Sequence, residues 1–324
     1  MANRRWTGFL AAVAVSVVAI GTAAAQVYPS RPITLIVPFP AGGGVDAMAR
    51  ITAERLTAAL GQQIVIDNRG GAAGVIGTRA AAKLPADGYT LAMSTSGTTS
   101  INPSLYASPG YDPLRDFAPI GLVASTPIVV MAHPSFPAKS IAALIALARQ
   151  QDKLDIGTPP PGTENYLAAE LFKAMTGINA TIVSYKGTAP LTNDLVGGHI
   201  PVAFNTIAPA LGNLQAGQLR AIAVAGRTRS SLLPDVPTVA ESGLPGFEAA
   251  VRYGVLAPAG TPRPIIERIN MELRAMVGSD EMRARIAAQG GEPLAATPDE
   301  YAGDIAREQA KWSVLIKQLG LRVE

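Results

Sequence analysis

Cysteine is absent from the 324 residues, and histidine occurs only at His133 and His199. That excludes disulfides, thiolate metal centres, cysteine nucleophiles and anchoring through a lipidated cysteine. Two histidines also make no histidine-rich metal site. Aromatic residues are 5% of the chain, too sparse for the stacking platforms that single-stranded nucleic acid requires. Charged residues are 16%, the formal net charge is +3, and no run of Lys or Arg forms a basic patch. Nucleic acid is therefore excluded as a partner. The G-x-S-x-G elbow of serine hydrolases is missing.

What is present is a hydrophobic content of 48%, with Gly 32 and Pro 26. Such a chain can bury a substantial core, carries many turns, and is long enough for two domains. At the N-terminus, Arg4 and Arg5 precede an apolar run from Phe9 to Ile20 and then Ala23-Ala24-Ala25. A basic segment, a short apolar segment and small residues at the end are the marks of a secretory signal peptide, with cleavage expected after Ala25. The apolar run falls short of the ~20 residues of a membrane-spanning helix. The mature protein is expected to work outside the cytoplasm, as a monomer.

Beyond the leader, strand and helix patterns alternate. Ile33-Thr34-Leu35-Ile36-Val37 is a continuous apolar run ending at Pro38, as in a buried parallel strand. Val45, Met48, Thr52, Leu56 and Ala59 then recur at helical spacing up to Gly61. Strands at 63–66 and 89–93 and a helix at 74–83 complete a βαβαβ unit. The rhythm resumes with strands at 127–132, 154–156, 181–184, 201–205 and 220–225. Helices at 140–150 and 188–196 lie between them, with another carrying Leu167, Leu171, Phe172 and Met175 on one apolar face. After a strand at 251–257, helices follow at 262–277, 280–289 and 298–318. The expected fold class is α/β: two doubly wound domains, residues 26–126 with 250–324 forming one and 127–249 the other.

Glycine-rich and hydroxyl-rich loops sit where strands lead into helices. Gly42-Gly43-Gly44-Val45-Asp46-Ala47 fits G-x-G-x-x-A, and Asp67 closes the next strand, which is one way to hold a dinucleotide. Pro38 and Pro40 stiffen the turn where that fingerprint needs it tight, and an exported protein meets little nicotinamide cofactor. A helix N-terminus with close-approaching backbone N–H groups suits any small anion. Three further loops have the same character: residues 94–98 with four hydroxyls, 162–165, and 185–188. Converging at the carboxyl ends of strands, such loops form a cleft for an anionic solute. Asp46 reads as a first-turn residue bracing a helix start.

Several blocks together resemble the Bug/TctC-type solute-binding proteins. They include Tyr28-Pro29-Ser30-Arg31-Pro32-Ile33, Val37 through the three glycines ending at Gly44, Asp67-Asn68-Arg69 and Pro85-Ala86-Asp87-Gly88-Tyr89-Thr90. Ile101-Asn102-Pro103, Tyr185-Lys186-Gly187, Leu233-Pro234-Asp235 and Leu256-Ala257-Pro258 continue the series in the same order. The resemblance implies a periplasmic binding protein of the Venus-flytrap, type II-like fold, its two domains joined by a hinge. It implies capture of an organic carboxylate for the membrane subunits of a tripartite tricarboxylate transporter, or a signalling role, without enzymatic activity, cofactor or metal. It also implies a ligand site made of Phe39, Ala41, Gly42 and Gly43, of Thr163 and Asn165, and of Ser94, Thr95, Ser96, Tyr185 and Asn205. Asn205 stands where an acid is usual, which argues against an amino-acid ligand. Arg252-Tyr253 stands where an aromatic pair is usual. Arg252 is expected to face a second carboxylate of the ligand, the plain alternative being a pair with Glu248.

Overall fold

The computed structural model describes residues 28–324 apart from Asp152. The signal-peptide expectation for residues 1–25 lies outside the described residues. The first half of the chain contains β1 (Ile33–Val37), α1 (Gly44–Leu60), β2 (Ile64–Asn68), α2 (Val75–Ala81), β3 (Thr90–Thr95) and a short α3 (Asn102–Leu105). Then come β4 (Phe117–Ala132), α4 (Ile141–Gln150), β5 (Leu154–Thr158), α5 (Glu164–Thr176), β6 (Ala180–Ser184), α6 (Thr188–Val196) and β7 (Val202–Thr206). The chain continues through α7 (Leu211–Gln215), β8 (Arg220–Val224), β9 (Ala250–Pro258), α8 (Arg263–Gly278), α9 (Asp280–Ala288), β10 (Glu292–Pro293) and α10 (Pro298–Gln318).

The strands run in the order β2-β1-β3-β9-β4-β7-β5-β6, with β8 and β10 also paired to β4. Each end of this sheet repeats one plan. In β2-β1-β3 a central strand has a parallel neighbour on both sides, and β6-β5-β7 does the same. Apolar runs explain the central strands. Ile33, Leu35 and Val37 of β1 enter one core cluster while Ile36 enters another, so both faces are covered and no polar alternation is needed.

The connection between the two ends is β4. Its residues 117–127 pair with β9, and residues 128–132 pair with β7. The sequence pattern anticipates only the second part, because Pro119 and Gly121 interrupt the first; the structure places a register shift between those two residues. The C-terminal helices return to the first half: α8 packs on β4 and α1, and α10 packs on β4, α3 and the turn at 97–101. That turn is a single π-helical turn, Gly97–Ile101, and the sequence did not announce it. Met175 departs from the apolar face expected of α5 and is exposed, whereas Leu167 and Phe172 are fully buried.

Candidate ligand-binding cleft

The loop from β1 to α1 leaves Ala41, Gly42, Gly43 and Gly44 exposed. Gly42 has φ +84°, a conformation that glycine adopts without strain. Its N–H donates to Asp46 Oδ2 at 2.9 Å. Asp46 is buried and also accepts from Arg50 Nε at 2.8 Å and from Asn68 Nδ2 at 3.0 Å, while Asn68 Nδ2 also donates to the Phe39 carbonyl at 3.1 Å. Burial pushes the Asp46 carboxyl up, but the bonds from Arg50, Gly42 and Asn68 outweigh it and hold the group below the ordinary range. Asp46 thus braces the loop from beneath, as its first-turn position suggested. Gly43 is the N-cap of α1 and offers no side chain, so the helix start is left to whatever approaches the loop. Phe39 lies behind, its ring against Gly74.

The hydroxyls of residues 94–96 are spent within the protein. Ser94 Oγ donates to the Gly254 carbonyl at 2.9 Å and bonds the Tyr301 hydroxyl at 2.7 Å. Thr95 exchanges hydrogen bonds with Thr98, and Ser96 Oγ accepts from the Arg252 N–H at 2.9 Å. All three residues are buried. They shape the loop that follows β3.

Opposite stands the loop from β5 to α5. Thr163 is the N-cap: its Oγ1 accepts from the Tyr166 N–H and donates to the Pro160 carbonyl at 2.7 Å. Gly162, at φ +92°, is pressed against the first half of the chain. A Cβ there would meet Asn102 Oδ1 at 2.7 Å and Ala73 Cβ at 2.9 Å. Glu164, in the first turn of α5, accepts a hydrogen bond from the Gly97 N–H. The loop from β5 to α5 is therefore in contact with the turn at 97–101 and with Ala73 and Asn102. Asn165 is buried, with Nδ2 3.5 Å from the Phe204 carbonyl.

Three expected site residues turn inward. The half-buried Tyr185 ring lies against the position of a Gly157 Cβ; burial first and the nearby Asp194 carboxylate second push the phenol up to about 12. Asn205 is fully buried, its Nδ2 donating to Thr192 Oγ1 at 2.9 Å and to the Thr188 carbonyl at 3.3 Å, so the amide ties α6 to β7. Arg252 meets Glu308 at 3.1 Å, Glu248 at 3.3 Å and Asp304 at 3.9 Å. Its guanidinium is taken up by three carboxylates of the same chain, so it offers no free fork to a ligand. The neighbouring Tyr253 behaves otherwise. Its hydroxyl lies 3.6 Å from the position of a Gly44 Cβ, placing a buried phenol under the first loop.

Sequence reasoning passed over Glu164, which resembled an ordinary acid at a helix start, and Thr158. The Thr158 hydroxyl, at the carboxyl end of β5, is buried without a hydrogen-bond partner. A lone hydroxyl in a strand carries no signal; only the packing above it does. His133 and His199 lie with Ser135 and Asp194 in exposed surroundings. Asp67, the acid of the dinucleotide fingerprint, is paired with Arg69 at 2.8 Å.

Residues 48–321 match the family model described as the tripartite tricarboxylate transporter family receptor. The protein BugT of Bordetella pertussis (strain Tohama I) is 38% identical over 98% of this chain and 99% of its own length. Among solved structures, Rpa4515 of R. palustris with adipate has a TM-score of 0.84 at 38% identity, covering 91% of this chain and 99% of that one. MatC of Rhodopseudomonas palustris with bound malate has a TM-score of 0.80 at 29% identity, covering 89% of this chain and all of that one.

Proposed function

Because the chain belongs to the tripartite tricarboxylate transporter receptor family, we propose that it is a periplasmic solute-binding protein. It captures a small organic carboxylate between two domains, residues up to 126 with 250–324 and residues 127–249, and delivers it to the membrane subunits of a transporter. The observation that carries this reading is the exposed glycine-led start of α1 at Gly43, with a second helix start at Gly162-Thr163 packed against the first half of the chain. Helix N-termini supply oriented N–H groups and positive potential, which suit a carboxylate. The similar structures with adipate and with malate support a dicarboxylate. Ligand held from both sides favours the closed arrangement. The reading is of binding without turnover.

A thermal-shift screen of mono-, di- and tricarboxylates, including aromatic acids, adipate and malate, tests it. At Gly43 the backbone has φ −88°, and a Cβ would meet only the Pro40 carbonyl at 3.8 Å, so a branched side chain fits the fold. Gly43→Val is expected to keep the melting temperature of the unliganded protein and to abolish the shift given by the carboxylate that stabilises the wild type. An equal shift in both proteins places the ligand elsewhere.

A further inference from the structure

Glu164 is 4% exposed and projects from the first turn of α5 across the cleft. One carboxyl oxygen accepts the Gly97 N–H, beside the Ser96 hydroxyl, which itself bonds the Ala250 carbonyl and the Arg252 N–H. Ser96 and Gly97 follow β3, on the other half of the sheet, so this side chain is a strut between the two walls. The groups facing it are few. The Ser96–Gly97 loop brings no charge, β9 brings the Tyr253 hydroxyl, and α10 brings the Glu308 carboxylate, which is itself engaged by Arg252.

We propose that Glu164 is a proton-dependent latch: the cleft closes with this carboxyl neutral and bridging to Ser96–Gly97, and opens when it ionises into solvent. The geometry gives the reason. In the closed cleft one oxygen accepts the Gly97 N–H in either protonation state. The other takes up a proton from solvent when the group becomes neutral. Burial pushes the carboxyl up from its ordinary value, and Glu308 adds to this, against the bonds from its own N–H, Ser96 and Gly97. In the open form the same carboxylate is hydrated, which favours the charged state. A group whose pKa is higher in the closed form makes closing take up a proton. The closed-to-open ratio is then greatest below the open-form pKa and falls as the pH rises through the closed-form pKa. It changes by about tenfold for each unit separating the two.

The inference rests on the two-domain reading but not on the identity of the ligand. With no native cysteine, spin labels at Ile76→Cys on α2 and Asn193→Cys on α6, both exposed, report the distance between the halves without ligand. Between about pH 5 and about pH 8 the wild type is expected to lose its short-distance population. Glu164→Gln, which keeps an acceptor for Gly97 but cannot ionise, is expected to hold that population at both values. Glu164→Ala is expected to lack it at both. A pH response that persists in Glu164→Gln, or a wild type that does not respond, overturns the latch. A distance that shortens with a carboxylate of the screening panel yet ignores pH also overturns it, and leaves the binding reading standing.

Discussion

A guanidinium fork suits carboxylates from any source, and at Arg252 the protein supplies them itself. The spacing of Glu248 and Arg252 was visible in the chain; the contributions of Asp304 and Glu308, some fifty residues on, were not. Removing the guanidinium leaves three partly buried acids facing one another. Arg252→Leu is therefore expected to destabilise the fold by about 3 kcal/mol, read as a lower urea midpoint, and to leave the choice between mono- and dicarboxylates unchanged. A selective loss of dicarboxylate affinity in a protein of wild-type stability would return Arg252 to the site. The same lesson holds for Ser94, Ser96 and Asn205. The resemblance implied ligand contacts, and in the fold each side chain bonds the protein's own backbone or a neighbouring hydroxyl.

Elements whose apolar pattern is regular were legible, and those shaped by distant partners were not. Helix α6 was expected at 188–196 and α10 at 298–318, as found. The second has strong local marks: Thr297 Oγ1 accepts from the Glu300 N–H, and the Glu300 carboxylate accepts from the Thr297 N–H at 2.8 Å, a complete capping box followed by Pro298. Thr297→Ala is expected to cost about 1 kcal/mol, and Thr297→Ser to restore most of it, in equilibrium urea unfolding. Equal midpoints for Ala and the wild type would mean that packing of Trp312 and Tyr301 alone sets the start of α10. The first part of β4 and the π turn at 97–101 lack such marks. They exist because β9 and α10, both from the far end of the chain, pack on them.

At the scale of the molecule, the contact between the turn at 97–101 and the loop before α5 depends on the absence of side-chain atoms at Gly97 and Gly162. A Cβ at Gly97 would meet the Gly162 carbonyl oxygen at 2.8 Å, a contact made only across the cleft. Gly97→Ala is expected to relieve that clash by opening. Small-angle scattering should show a radius of gyration that fails to shrink with saturating ligand. Calorimetry should show affinity lowered by about 1–3 kcal/mol, the usual cost of overpacking. Contraction on binding equal to that of the wild type would mean that closure does not bring Gly97 against Gly162.

The amino-acid sequence by itself determined the α/β class, the alternation of strands and helices, the glycine-led helix starts and the kinship, because periodicity, turn residues and motif order are local properties. Tertiary structure decided which polar groups remain available in the cleft. Hydrogen bonding is settled by proximity, and proximity between residues such as Arg252 and Glu308, or Glu164 and Gly97, follows from the return of α10 to β4 and from contact between the two halves of the sheet. No short-range pattern carries that information.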